Sequence, residues 1–154
     1  MAGCEFKLLA SNTVCEATEG PILRDWWKLV SEWLANKLTI VGHNSNSFDW
    51  PFLIRRSWRL GVTVPREVMQ GRYLCPLLKD TMELWNCGQR AYVGLDPLAK
   101  FFGCGGKPTG EDACKGADFA RRFELGGDER AKAVEYLKND VAMTAGVAKA
   151  LGVL

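Results

Sequence analysis

The stretch "VGHNSNSFDWPFLIRR", residues 41–56, decides the fold prediction. An apolar run ends near its start, a helical pattern fills its second half, and Asp49 follows a phenylalanine at the junction. A carboxylate in the first turn of a helix is stabilised by free backbone N–H groups and by the helix dipole. Asp49 is therefore either an ordinary helix-terminal acid or part of a site, and the rest of the chain must distinguish these two interpretations.

Composition predicts one globular domain over residues 1–154. The chain is 47% hydrophobic, which is enough for a full core. Its 20 basic and 18 acidic residues give a net charge of only +2, so no global field indicates nucleic acid or a membrane. No apolar run reaches about 18 residues, and we expect no membrane span and no membrane partner.

Cysteine usage and the N-terminus indicate a cytoplasmic location. The six cysteines form no C-x-x-C pair and there is one histidine, so a zinc site is disfavoured and the thiols are expected to be reduced. The first residues lack the apolar segment of a signal peptide. We therefore expect a cytoplasmic protein.

Helical and strand patterns alternate along the chain. Proline at a first helical position and glycine after a helix end mark several boundaries. The tryptophans of the first helix could form a base-stacking platform, but their helical spacing favours core packing. The predicted elements are a hairpin of strands 4–10 and 13–18, a helix over 20–35 with Pro21 at its first position, a strand over 37–44, a helix over 49–61 ended by Gly61, a mixed strand and turn region over 74–85, a helix over 95–103 with Asp96 as N-cap, a helical segment over 116–127 and a long helix from Asp128 to Gly152.

A second group of interest lies on the long final helix. Tyr136 and Asp140 are four residues apart and therefore lie on one helix face. Such a pair is common on solvated helices, which is the alternative interpretation. The apolar stripe that includes Val134, Leu137 and Val141 places the pair at the stripe's edge. From that position, both side chains can point into a cleft beside a sheet.

Two motifs together resemble a known family. "GHNSNSFDWPFLIRR" resembles the second motif of the DEDD 3′–5′ exonucleases, in the form found in proofreading domains of family B DNA polymerases and their free-standing bacterial relatives. "YLKND" resembles the third motif, Tyr-x-x-x-Asp, of the tyrosine-bearing branch. The intervening "KDTMELW", "LDPLAKFFG" and "GADFARRF" follow in family order, so the resemblance covers roughly residues 20–152.

The resemblance implies a fold, a reaction and a set of site residues. The fold would be an α/β ribonuclease-H-like exonuclease fold, with a mixed sheet flanked by helices. The reaction would be hydrolysis of nucleotides from the 3′ end of single-stranded DNA or RNA, with two Mg²⁺ or Mn²⁺ ions. Asp140 would bind the metal that carries the attacking water, Tyr136 would orient that water, and Asp49 would complete the second metal's shell through water.

The resemblance also implies contacts to the substrate. Asn44 and Phe48 would contact the 3′-terminal nucleotide, Phe48 by packing on sugar or base. Four basic residues are candidate phosphate contacts, and plain solvated charge is the alternative interpretation for each. These four are Arg55, Arg56, Arg72 and Lys107.

The sequence departs from the family at its first motif. The family carries Asp-x-Glu on its first, central strand, whereas Asp25 is the only aspartate before residue 49 here. We therefore expect a domain that lacks this strand and has weak or no activity. Robust metal-dependent digestion would instead require substitute ligands, with Glu16 and Glu5 as the first candidates. The unpaired edges at residues 37–42 and 4–10 would then either meet within one chain or each pair with a second copy. The apolar surface that a narrowed sheet would leave bare favours the two-fold homodimer.

Three functional interpretations follow from this departure. The first is a metal-dependent 3′–5′ exonuclease of reduced activity. The second, from another class, is a non-catalytic nucleic-acid-binding or assembly module that retains the fold. The third is a decayed gene product without a selected function.

Overall fold

The computed structural model describes residues 16–107 and 116–154, and helices dominate both ranges. Apolar residues at helical spacing account for these helices, because they form one face that can be buried. In the first helix the buried residues on this face are Leu23, Trp27, Val30 and Leu34. In the described ranges the α-helices are α1 Glu16–Ala35, α2 Asp49–Arg59, α3 Thr81–Asn86, α4 Leu95–Phe101, α5 Gly116–Leu125 and α6 Gly127–Ala150.

The strands are short and form two two-stranded sheets within the described residues. β1 pairs in parallel with β4, with Val41 opposite Lys79, and β2 pairs antiparallel with β3. The mixed α/β class is therefore confirmed, while the ribonuclease-H-like topology stays a prediction. The strand bounds are β1 Ile40–Gly42, β2 Met69–Gln70, β3 Tyr73–Leu74 and β4 Leu78–Asp80.

The predicted hairpin and the predicted start of the first helix are partly wrong. Residues 16–18, expected at the end of a strand, are the first turn of α1, and Pro21 lies inside that helix. A proline there costs one backbone hydrogen bond, but burial of the apolar face of α1 supplies most of its stability. The predicted strand over 4–10 lies outside the described residues.

Two other predicted boundaries shift for local reasons. The strand expected over 37–44 is only Ile40–Gly42, because Lys37 and Asn44 adopt left-handed backbone conformations that cannot continue a strand. Asp96 is not the N-cap of α4. Gly94 holds that position, and the Asp96 carboxylate instead accepts hydrogen bonds from Lys100 Nζ and the Lys107 backbone N–H.

The long helix begins one residue before the predicted Asp128, at Gly127. The predicted helix ends are confirmed at Gly61 and Gly152. Both glycines have positive φ, +63° and +72°, directly beyond α2 and α6. Glycine adopts this conformation without the steric penalty of a side chain.

Two groups of apolar side chains are buried. The larger joins α1, α2 and the chain up to Leu78, and within it Trp27 Nε1 donates a 2.7 Å hydrogen bond to Ser57 Oγ. This burial confirms core packing for Trp27. The smaller group packs α4 on α6 through Leu98, Met143 and Val147. In the described ranges no helix combines the length and apolar composition needed to cross a membrane.

Candidate functional site

A cavity of about 640 Å³, here called the central cavity, opens beside the carboxyl end of β1. His43 and Asn44 follow β1, Asp49 begins α2, Asp140 belongs to α6, and Lys107 comes from the loop after α4. Concave sites with a few convergent polar groups are typical ligand sites. The cavity therefore unites residues from four separate parts of the chain.

Asp49 sits where the loop after β1 turns into α2. Burial raises the pKa of its carboxyl above the ordinary value of 3.8. A hydrogen bond from its own backbone N–H lowers the pKa, while the negative charge of Asp80 raises it further. Because the Asp49 side chain is only partly buried and still contacts solvent, screening by water keeps the rise in its pKa small. Asp49 is thus a carboxylate held near a second negative charge.

Asp80 fixes the loop between β1 and α2. Its side chain is buried, and its two oxygens accept backbone hydrogen bonds from Asn44 at 2.8 Å, Asn46 at 2.9 Å and Met82 at 2.9 Å. A buried carboxylate requires such donors. The same side chain therefore caps α3 and holds the loop that carries Asn44 into the cavity.

His43 ties the end of β1 to two further segments. Its Nε2 lies 2.8 Å from the Val93 carbonyl oxygen and its Nδ1 lies 2.9 Å from Thr81 Oγ1. Because a carbonyl only accepts hydrogen bonds, Nε2 carries a proton. His43 thereby anchors the segment before α4 at the rim of the cavity.

Lys107 lies between Tyr136 and Asp140 on α6. Its Nζ donates a 2.5 Å hydrogen bond to Tyr136 Oη, lies 4.7 Å from the centre of that ring, and is 3.5 Å from Asp140 Oδ1. Burial lowers the pKa of Lys107, but the Tyr136 hydrogen bond and the Asp140 charge outweigh it and raise the pKa overall. Lys107 is therefore a cation at neutral pH.

Asp140 remains incompletely satisfied despite this ion pair. Its Oδ1 is buried and has no hydrogen-bond partner in the described part of the chain. A buried oxygen without a donor is costly, and such atoms are common where a ligand binds. Asp140 thus retains capacity for one more donor or cation.

The structure brings some predicted site residues together and leaves others apart. Asn44, Asp49, Lys107 and Asp140 line the central cavity, and Tyr136 reaches it through Lys107. Phe48, the residue before Asp49, is 64% exposed. The roles that the family resemblance implies for these residues stay predictions.

Three predicted phosphate contacts are not among the cavity's lining residues. Arg56 makes a bidentate pair with Glu19, and its hydrogen bond lowers the pKa of that carboxyl. Arg72 contacts the Tyr73 ring beside a different cavity. Arg55 is exposed on α2. The Arg56 side chain is therefore engaged in an ion pair with Glu19.

The described residues do not form a complete metal site. No group of three or more histidine, cysteine, aspartate or glutamate side chains suited to a metal occurs in ranges 16–107 and 116–154. Mg²⁺ needs near-octahedral oxygen coordination, and Asp49 and Asp140 alone supply only part of it. Of the two substitute ligands, Glu5 lies outside these ranges, and the structure describes the backbone of Glu16 but not its side chain.

Sequence reasoning missed three residues that shape the cavity. His43 stood inside the motif stretch, and its position beside Asn44 was a usable signal. Asp80 follows an apolar run directly before a helix, which is the pattern of an N-cap. Tyr92 lies between predicted elements, and no periodicity marks it.

Comparison with protein-family models, with curated proteins and with solved structures finds no match.

Proposed function

We propose that this chain is a 3′–5′ exonuclease-like domain that binds the 3′ terminus of a single-stranded DNA or RNA in the central cavity. The observation that carries the proposal is that Asn44 and Asp49 meet Lys107 and Asp140, which lie far from them in sequence, around one open cavity. These residues come from the two motifs and from the loop between them.

Binding is the part of the function that the described residues support best. Lys107 supplies a positive charge for a phosphate, and the Asn44 side chain supplies both donors and acceptors for sugar or base. A strand end is the occupant that the family resemblance implies for this cavity. A ribonuclease-H-like topology is part of the same proposal.

Hydrolysis by this chain is proposed to be slow. Family enzymes use Mg²⁺ or Mn²⁺, which would activate water and stabilise the leaving oxygen. Asp140 and Asp49 are the side chains that would face such ions, but the described set lacks the further carboxylates that hold them. Each missing ligand removes stabilisation where charge develops, so low activity is expected.

A non-catalytic binding module is the second candidate, and one observation favours it. The Lys107 ammonium lies 3.5 Å from Asp140 Oδ1, so a cation already neutralises part of that carboxylate's charge. A metal ion at Asp140 would have to compete with it. In this version of the function, the cavity binds a strand end without divalent cations.

Digestion of 5′-labelled single strands, with and without Mg²⁺ or Mn²⁺, tests the catalytic part. We expect slow, metal-dependent shortening from the 3′ end that Asp140→Asn abolishes. Asp25→Asn is the matched control, because Asp25 is an exposed aspartate on α1 and does not line the cavity. Complete resistance to digestion alongside tight binding would favour the non-catalytic module, and rapid digestion would overturn the expectation of weak activity.

Two further proposals concern partners and location. The second edge of β1 has no strand partner in the described part of the chain, which supports a two-fold homodimer through that edge. The second of these proposals is a cytoplasmic location, which cysteine usage indicates. Cys75, Cys87 and Cys104, the cysteines within the described ranges, are free thiols.

A further inference from the structure

A second cavity, here called the hairpin cavity, lies beside the β2–β3 hairpin and has a volume of about 460 Å³. None of its lining residues also lines the central cavity. A cavity of this size can hold a small organic molecule. The hairpin cavity is therefore a separate candidate site, and the function proposed for the central cavity makes no use of it.

Two basic side chains line the hairpin cavity from different elements. Arg72 lies in the two-residue turn between β2 and β3, and Lys79 is the middle residue of β4. Neither forms an ion pair with a carboxylate of the described residues. Guanidinium and ammonium groups are the usual protein partners of phosphate. The two cations are therefore suited to hold a doubly charged anion.

The Tyr73 ring stands at the same cavity beside Arg72. The Tyr73 residue is 62% exposed, Arg72 Nη2 donates a hydrogen bond to its Oη, and the Arg72 guanidinium carbon lies 4.8 Å from the ring centre. Leu78 and Leu84 add apolar surface to the lining. A single exposed ring is normal on a protein surface. A ring that lies next to two cations at an apolar wall can in addition stack on a flat ligand that carries negative charge.

Two carboxylates and an amide complete the polar lining. The Asp80 oxygens already accept three backbone hydrogen bonds. The Glu83 carboxylate is exposed and accepts a 2.8 Å hydrogen bond from Asn46 Nδ2. A carboxylate has room for several donors, and the hydroxyl groups of a ribose are donors that carboxylates bind in nucleotide sites. Glu83 can therefore accept hydrogen bonds from a sugar.

We infer that the hairpin cavity binds a free nucleoside 5′-monophosphate. Its phosphate pairs with Arg72 and Lys79, because two cations match a phosphate dianion better than a singly charged carboxylate. Its base stacks on Tyr73, and its ribose hydroxyls donate hydrogen bonds to Glu83. This inference does not rest on the function proposed for the central cavity, because no residue is shared between the two cavities.

Calorimetric titration of the full chain with adenosine 5′-monophosphate, without divalent cations, tests the inference. Adenosine lacks the phosphate, inorganic phosphate lacks the base and sugar, and phenylalanine is a zwitterion that combines a ring with a carboxylate. We expect adenosine and inorganic phosphate each to bind at least about tenfold more weakly than the nucleotide, because each loses a charge-assisted or a stacking contact.

Three substitutions separate the contributions of the side chains. Arg72→Met and Lys79→Met should each weaken binding of the nucleotide by about tenfold and leave binding of adenosine unchanged. Tyr73→Leu should weaken binding of the nucleotide and of adenosine by about tenfold, within the range for loss of one stacked base. Arg55→Met is the matched control, because Arg55 is an exposed arginine on α2 that lines neither cavity. It should change no affinity.

Lys107→Met distinguishes the two cavities. If it abolishes binding of the nucleotide while Arg72→Met has no effect, the nucleotide occupies the central cavity and the inference is wrong. Tighter binding of phenylalanine than of the nucleotide, or no binding of the nucleotide at all, also overturns it and leaves the proposed binding of a strand end unaffected. Circular dichroism identifies a variant that has lost its fold, and the remaining two of the three substitutions then decide the outcome.

Discussion

Asp49 is an acidic residue whose ionised form is disfavoured by its surroundings. Its carboxyl lies at the start of α2, where the helix dipole favours negative charge, yet burial and the neighbouring Asp80 charge raise its pKa. A structural N-terminal acid would be expected to show the opposite shift. The direction of this shift supports the interpretation that Asp49 belongs to a site, although its exposure keeps the effect small.

Asp49→Asn should therefore stabilise the fold slightly at neutral pH. The folded chain holds the Asp49 proton more tightly than the unfolded chain does, so the ionised side chain costs stability as pH rises above about 4. The expected gain at pH 7 is about 0.5 kcal/mol or less, typical of an exposed position. It should shrink as pH falls towards 4. Urea unfolding at several pH values measures it, and a clear loss of stability at pH 7 would show that the carboxylate is structural.

Lys107 and Asp140 form the second residue-scale test. Without divalent cations, Asp140→Asn removes the negative charge 3.5 Å from Lys107 Nζ and should tighten binding of a single strand by up to about fivefold, or about 1 kcal/mol. Lys107→Met should weaken binding and reduce its salt dependence by about one counterion. Titrations at several salt concentrations measure both. Weaker binding by Asp140→Asn under these conditions would mean that Lys107 does not contact phosphate.

At the scale of elements, buried Asp80 at the end of β4 joins α3 to the loop between β1 and α2. It caps α3 and holds the loop between β1 and α2 by accepting three backbone hydrogen bonds. Gly42 lies at the start of this loop, and a Cβ there would lie 2.3 Å from Ser45 Oγ. The loop therefore has little freedom to rearrange, which keeps Asn44 and Asp49 on one side of the cavity.

Asp80→Ala should destabilise the chain by about 3 kcal/mol or more, because three backbone N–H groups lose their acceptor. Glu83→Gln is the control, since the Glu83 carboxylate accepts an exposed hydrogen bond from Asn46 Nδ2 rather than buried backbone hydrogen bonds. That substitution should cost less than about 0.5 kcal/mol. Chemical denaturation of both variants compares them. Equal stability would contradict the role given to Asp80.

The elements also show what the sequence could and could not predict. Helices with long apolar stripes and a glycine stop, such as α2 and α6, were predicted within a few residues. The N-cap of α4 was missed because the Asp96 carboxylate accepts hydrogen bonds from Lys100 and Lys107 instead of capping the helix. The Lys100 hydrogen bond is the main cause of the lowered pKa of that carboxyl. Lys107 lies in a loop 29 residues before Tyr136, and no local sequence pattern predicts the contact between these two side chains.

At the scale of the molecule, β1 presents an edge without a strand partner in the described residues. An apolar groove lined by Trp26, Ile40 and Trp50 lies along it. Trp26 Nε1 and Ser45 Oγ, both buried at this groove, have no hydrogen-bond partner in the described part of the chain. Unpaired strand edges favour addition of another strand.

We therefore expect a homodimer at micromolar concentration, with two β1 edges related by a two-fold axis. Light scattering and sedimentation over a dilution series measure the mass. A monomer at every concentration would exclude this assembly and would leave the binding proposal for the central cavity unaffected.

The most direct test of the central claim compares a linear single strand with a circular strand of the same sequence. The linear strand carries its label at the 5′ end, so its 3′ terminus is the free end that the circle lacks. If the central cavity binds a 3′ terminus, the linear strand should bind at least tenfold more tightly, and Lys107→Met should reduce that preference. Equal affinity for the linear and circular strands would contradict the account.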